Sequence, residues 1–144
     1  MPVRRSVTLA LAALVLSACG SLQIAPPTPA RAIAIAGFEV VYANDLPSDR
    51  QRMLNRLGVP AKMSLALRQA YPAGPGPRVR VMITQFRSGR WGPTRMHAVV
   101  FVLGDNEQVL AQLDVDSTSM SGASRGGLIQ NVSQDCVNQI AAQL

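Results

Sequence analysis

The chain has 144 residues, enough for a single domain with one buried core. Hydrophobic residues make up 48% but aromatics only 4%, which excludes a ring-packed core and leaves Val, Ile, Leu, Ala and Met to build it. The formal charge of +6 favours anionic surfaces such as lipid headgroups or a charged polymer, set against the plainer reading of a solvated, Arg-biased exterior.

Met1 to Arg5 is a short cationic segment, and Val7 to Leu16 is apolar apart from Thr8. A run of about ten residues suits the apolar part of a secretory leader and is too short to span a bilayer. The adjacent Arg4 and Arg5 are common in ordinary leaders and do not make a twin-arginine signal. Leu16-Ser17-Ala18-Cys19 closes the run, with small residues ahead of a cysteine. This stretch resembles the lipobox of bacterial lipoproteins.

The resemblance implies a leader over residues 1–18, cleaved ahead of Cys19. A thiolate is the nucleophile that diacylglyceryl transfer needs, so Cys19 would carry a thioether-linked lipid and a third, palmitate-like acyl chain. Two or more chains anchor a protein stably where one does not. Gly20 follows in place of the Asp that marks inner-membrane retention, which by the same analogy points to the outer membrane and its periplasmic side. Export excludes nucleic acid as a partner. Loss of Arg4 and Arg5 leaves twelve basic against eight acidic side chains, a charge of +4.

Residues 19–31 carry Pro26, Pro27 and Pro29 among small residues, a composition that predicts a flexible, extended tether. Twelve residues at ~3.1 Å each would hold the domain roughly 35 Å from the lipid surface. The domain itself is expected over residues 32–144.

Ala32 to Tyr42 reads as a strand whose alternation changes phase at Gly37, the place for a β-bulge. Ser48 and Gln51 fit a capping box, opening a helix whose apolar stripe runs through Leu54, Leu57, Ala61 and Leu65. Gly58-Val59-Pro60 divides it into two pieces. Pro72 to Pro77 predicts a turn. Arg78 to Arg87 then sets Val79, Val81 and Ile83 on one face of a strand. Arg95 to Leu103 is apolar on both parities, as in a central strand. Gln108 to Asp116 alternates cleanly after the hairpin signal Gly104-Asp105-Asn106-Glu107.

Closing that hairpin with Leu103 opposite Gln108 puts His97 opposite Asp114 and Arg95 opposite Asp116. It also aligns Ala98, Val100 and Val102 with Val109, Ala111 and Leu113. After a small-residue loop over Ser117 to Gly127, the stripe Leu128, Val132, Cys136, Ile140 and Leu144 predicts an amphipathic helix. The whole is an α+β fold of β-α-β-β-β-α order: a four-stranded sheet with helices on one face.

The residues offer little catalytic chemistry. His97 is the only histidine, and the register gives it a single carboxylate, so a cross-strand pair is expected in place of a site. Cys136 lies on an apolar stripe and reads as a buried free thiol. Ser121-Gly122-Ala123-Ser124 supplies hydroxyls without a base and fits a helix entry. No metal or cofactor site is expected.

Two features suit partner contact. Arg90 and Trp91 stand on the loop between the second and third strands, and a Trp there is either an interface anchor or a ring folded over the sheet edge. Met82, Val99, Phe101, Leu103 and Leu110 are expected on the sheet face away from the helices, bordered by Arg78, Arg80 and Arg95. The element order, lipobox and size together resemble a broad group of envelope lipoproteins that includes the curli-secretion lipoprotein and the activators of penicillin-binding proteins. That resemblance implies an assembly or accessory role and no site residues. The expectation is a non-enzymatic envelope lipoprotein that binds another envelope protein. The alternative is a lipid-transfer or transport-system auxiliary holding an apolar ligand between helices and sheet.

Overall fold

In the computed structural model, which describes residues 22–89, 91–120 and 124–144, the chain follows the expected α+β order. Strands β1 (Ile35–Tyr42), β2 (Ala73–Arg87), β3 (Thr94–Leu103) and β4 (Val109–Ser119) form one sheet in that spatial order. β1 is parallel to β2, and the remaining neighbours are antiparallel. A parallel pair needs a crossover, supplied here by α1 (Ser48–Arg56) and α2 (Val59–Ala70). Gly58 at φ 68° separates them, and Pro60 sits in the first turn of α2, where its missing N–H costs nothing. The third helix, α3 (Arg125–Gln143), closes the layer.

The core lies between helices and sheet. Val79, Val81, Ile83, Met96, Ala98, Val100 and Val115 meet Leu54, Met63, Leu67, Ile129, Val132, Cys136 and Ile140, all essentially without exposure. The phase change in β1 is real: pairing with β2 jumps between Ile35 and Gly37, so buried Ile35 and half-buried Phe38 share the helix face. A second irregularity, between Ile83 and Gln85, carries Phe86 to the same face as Ile83.

Several expectations need correction. Pro72 to Pro77 does not end in a turn; β2 begins at Ala73 and runs through it. Pro75 and Pro77 are tolerated because the β1–β2 register breaks there, passing from Ile35↔Ala73 to Gly37↔Arg78. A Cβ on Gly76 would run into the Ala34 carbonyl, so only glycine permits this approach. The capping box does not form. Pro47 is the cap position, Ser48 is already helical, and the Gln51 amide instead donates to the Leu46 carbonyl at 2.8 Å. At α3 the expected role for Ser124 holds, its hydroxyl accepting from the Gly127 amide at 3.1 Å.

The β3–β4 register is displaced by two residues. His97 is opposite Asp116 and Arg95 opposite Thr118. The turn takes up the extra chain: Asp105–Glu107 forms a single 3-10 turn, with Asn106 and Glu107 both at positive φ, and the Gly104 amide donates to the Gln108 carbonyl at 2.7 Å. A two-residue shift preserves facing, and Ala98, Val100 and Val115 reach the core. Val109 and Ala111 are nevertheless exposed, because α3 reaches only the far half of β4, near Asp116 and Ser119.

Residues 22–31 are extended but do not hang free. Gln130 and Gln134, one turn apart on α3, bind the strap's backbone: the Gln23 amide donates to Gln130 Oε1 at 2.9 Å, and Ala25 exchanges bonds with Gln134 at 2.7 and 3.0 Å. The Ala30 amide donates to the Ala141 carbonyl, and Lys62 Nζ donates to the Leu22 carbonyl at 2.6 Å. Two glutamines stand in for a neighbouring strand. From Leu22 onward the expected tether is therefore bound to α2 and α3.

Candidate interaction surface

The helices cover one face of the sheet and leave the other open. On the open face, Val41, Met82 and Val99 are cross-strand partners, with Phe101 on the next rung beside Arg80. All four are half-buried. Around them runs a rim of paired charges. Arg80 meets Glu39 at 3.0 Å and Glu107 at 3.6 Å, and Arg78 meets Glu107 at 2.9 Å. Arg95 grips Asp116 with two bonds of 2.8 and 3.2 Å. The pairing anticipated between Arg95 and Asp116 thus forms, but diagonally across the shifted register. Hydrogen bonding from Arg78, aided by the charge of Arg80, holds the Glu107 carboxyl below its ordinary range; Arg95 does the same for Asp116. Exposed pairs of this kind add little stability, but they fix the charge pattern that a partner would meet.

The predicted contact residues divide. Met82, Val99 and Phe101 share the open face. Leu103 keeps the parity of Phe101, opposite Arg78 as Phe101 is opposite Arg80, but it is only 3% exposed. Leu110 is 57% exposed but lies over the hairpin end, its methyl carbons packed against Gly104. Trp91 is 93% exposed, so its ring is not folded over the sheet edge. Arg90 lies outside the described residues, as do Cys19 and the leader.

His97 has a partner the sequence did not reveal. Thr84 Oγ1 is 2.6 Å from its Nδ1 and 3.2 Å from its backbone carbonyl, while Asp114 Oδ1 stands 3.7 Å from Nε2. The hydroxyl has one hydrogen. Donated to the carbonyl, it obliges Nδ1 to carry the ring proton; donated to Nδ1, it gives up the carbonyl bond. Among the described residues no three His, Cys, Asp or Glu side chains gather as a metal site, and no helix is long and apolar enough to cross a membrane. Cys136 is buried, and burial pushes its thiol up to about 12.

The space between helices and sheet is filled by Phe86, Met63, Leu67 and Ile83, so an apolar ligand would have to use a surface cleft. One such cleft, of about 370 Å³, was not anticipated; Arg52, Arg56 and Arg125 line it. The i, i+4 spacing of Arg52 and Arg56 was visible in the sequence, but the approach of Arg125 depends on the tertiary fold.

One buried group is a structural liability. Thr94 has no exposure, and its hydroxyl finds no hydrogen-bond partner. Thr94→Val keeps the shape and removes the unsatisfied oxygen. It is expected to raise the unfolding free energy by about 1 kcal/mol, seen as a higher urea midpoint at unchanged slope.

A two-layer α+β domain with one bare sheet face and a projecting Trp loop is the class defined by fold and surface. No family model matches the chain, and no curated protein matches it. Among solved structures it is similar to protein XCC0632 from Xanthomonas campestris, described as DUF330, at 9% identity and TM-score 0.48, with 85% of this chain and 88% of that one covered. It is also similar to PelC, solved as a dodecamer from Paraburkholderia phytofirmans, at 12% identity and TM-score 0.47, covering 81% and 96%. A Helicobacter pylori homolog of a neuraminyllactose-binding hemagglutinin follows at 8% identity and TM-score 0.37, covering 84% and 85%. None of these three is a curli-secretion lipoprotein or an activator of penicillin-binding proteins.

Proposed function

We propose that the chain is a non-enzymatic envelope lipoprotein, anchored through Cys19 in the outer membrane and facing the periplasm, that binds another envelope protein through its open sheet face and the Trp91 loop. The observation that carries this reading is the pairing of an uncovered apolar strip, Val41, Met82, Val99 and Phe101, with a tryptophan 93% exposed on an adjoining loop. Aromatic side chains of this exposure act as interface anchors, and a rim of charges around an apolar centre is the usual anatomy of a contact surface. The anchor is supported by the leader and by Leu16-Ser17-Ala18-Cys19.

The test is crosslinking in intact cells followed by mass spectrometry. The wild-type chain should capture a specific envelope protein, and the double variant Trp91→Ala, Phe101→Ala should lose it while keeping the wild-type circular dichroism spectrum. A survey of the envelope that finds no partner for the wild type would sink the proposal.

A further inference from the structure

The arginines on the sheet rim and those of one surface cleft differ in their partners. Arg78, Arg80 and Arg95, on the sheet, each have a carboxylate partner. Arg52 and Arg56, exposed one turn apart on α1, and Arg125, the first residue of α3, form no ion pair among the described residues. These three line the cleft of about 370 Å³, whose apolar wall is Met53, Leu57 and Ile129, and Asp49 is the only carboxylate there. Ser124 already caps one amide at the start of α3, so the guanidinium groups are what the cleft offers to an anion.

The strap leaves the fold at a patch of Leu22, Gln23, Lys62 and Leu65, whose supports are close in sequence to the cleft residues. Lys62, which holds the Leu22 carbonyl, runs past Gly58, two residues beyond Arg56. Gln130, which holds Gln23, adjoins Ile129 of the cleft wall. Cys19 is three residues before Leu22, so an anchor on it can stand no more than about 10 Å from that point. A membrane reached by so short a lead must lie close to the cleft.

We propose that the Arg52, Arg56 and Arg125 cleft docks on the anionic lipid headgroups of the leaflet that holds the anchor, fixing the domain's orientation on the membrane. Guanidinium groups bind phosphate oxygens in pairs, and the Met53 and Leu57 side chains suit the glycerol and first acyl carbons beneath a phosphate. The proposal rests on the Cys19 anchor, so its test keeps the two apart.

Unacylated Cys19→Ser chain is floated with vesicles of phosphatidylcholine alone and of phosphatidylcholine with about a third phosphatidylglycerol, at low salt. Binding is expected to the anionic vesicles only. Arg52→Gln with Arg56→Gln should weaken it about 30-fold, at roughly one charge-sized increment each. The control pair Arg31→Gln with Arg68→Gln, which removes the same charge from exposed sites away from the cleft, should change it by no more than about twofold. Equal losses from both pairs, or no preference for anionic vesicles, would overturn the cleft. The anchor is read separately, from the mass of the N-terminal peptide of wild-type chain extracted from cells. An unmodified Cys19 overturns the anchor and leaves the vesicle result to stand or fall by itself.

Discussion

Phe86→Ala is expected to destabilise the domain by about 3–5 kcal/mol, measured by urea unfolding, against a total of about 5–15 kcal/mol for a domain of this kind. Phe86 is the largest side chain with no exposure and one of only three phenylalanines, so no other ring can refill its place. It reaches the core only because the β2–β3 register slips between Ile83 and Gln85; without that slip its parity would turn it to the open face. Its partner across the pair is Met96, also without exposure, and its backbone carbonyl accepts from Arg50 at 2.8 Å. Truncation therefore removes the packing that justifies the bulge and loosens the attachment of α1 to the sheet. A midpoint shift equivalent to less than about 1 kcal/mol would show that the surrounding residues collapse into the site and that this end of the core is not close-packed.

The same region shows why some of the fold was legible in the sequence and some was not. The division of the crossover helix could be read from Gly58-Val59-Pro60, because glycine at positive φ and proline in a first turn are local requirements. The buried stripe of α3 was equally plain, since Val132, Cys136 and Ile140 repeat at helical spacing. Facing in the β3–β4 hairpin was readable, but register was not. Asn106 and Glu107 both take left-handed backbone, a choice that no turn rule assigns to glutamate; the turn absorbed one further residue and the irregularity at Leu110 a second.

For the surface, Trp91 and the strip of Met82, Val99 and Phe101 followed from composition and parity. Leu103 keeps that parity, but its burial to 3% exposure depends on packing that alternation does not encode. The strap was hidden for a different reason. Gln130 and Gln134 look like solvent-facing residues of an amphipathic helix, and only the folded chain brings the N-terminal backbone to their amides.

Above about pH 9 the fold is expected to lose stability steadily, and Cys136 is the largest identifiable cause. In the unfolded chain this thiol ionises near its ordinary value of 9.0, whereas in the fold burial, aided by the charges of Asp135 and Asp116, pushes it up to about 12. Between those values the unfolded state has given up a proton that the folded state retains. The unfolded state is favoured more with each step upward. The contribution is thus complete below about pH 9 and lost as pH rises towards about 12, at about 1.4 kcal/mol per unit, or on the order of 4 kcal/mol in all. Burial also pushes the Tyr42 phenol up to about 12, and its hydroxyl donates to Asn55 at 2.6 Å, so it acts in the same direction. Cys136→Ala separates the two. The variant starts less stable because it leaves a gap beside Val132 and Ile140, but its urea midpoint should fall less steeply between about pH 8 and about pH 11 than that of the wild type. Parallel slopes for the two proteins would remove Cys136 from the account. The same burial keeps the Cys136 thiol protonated and enclosed, so the thiolate that would form a mixed disulfide appears only when α3 leaves the sheet.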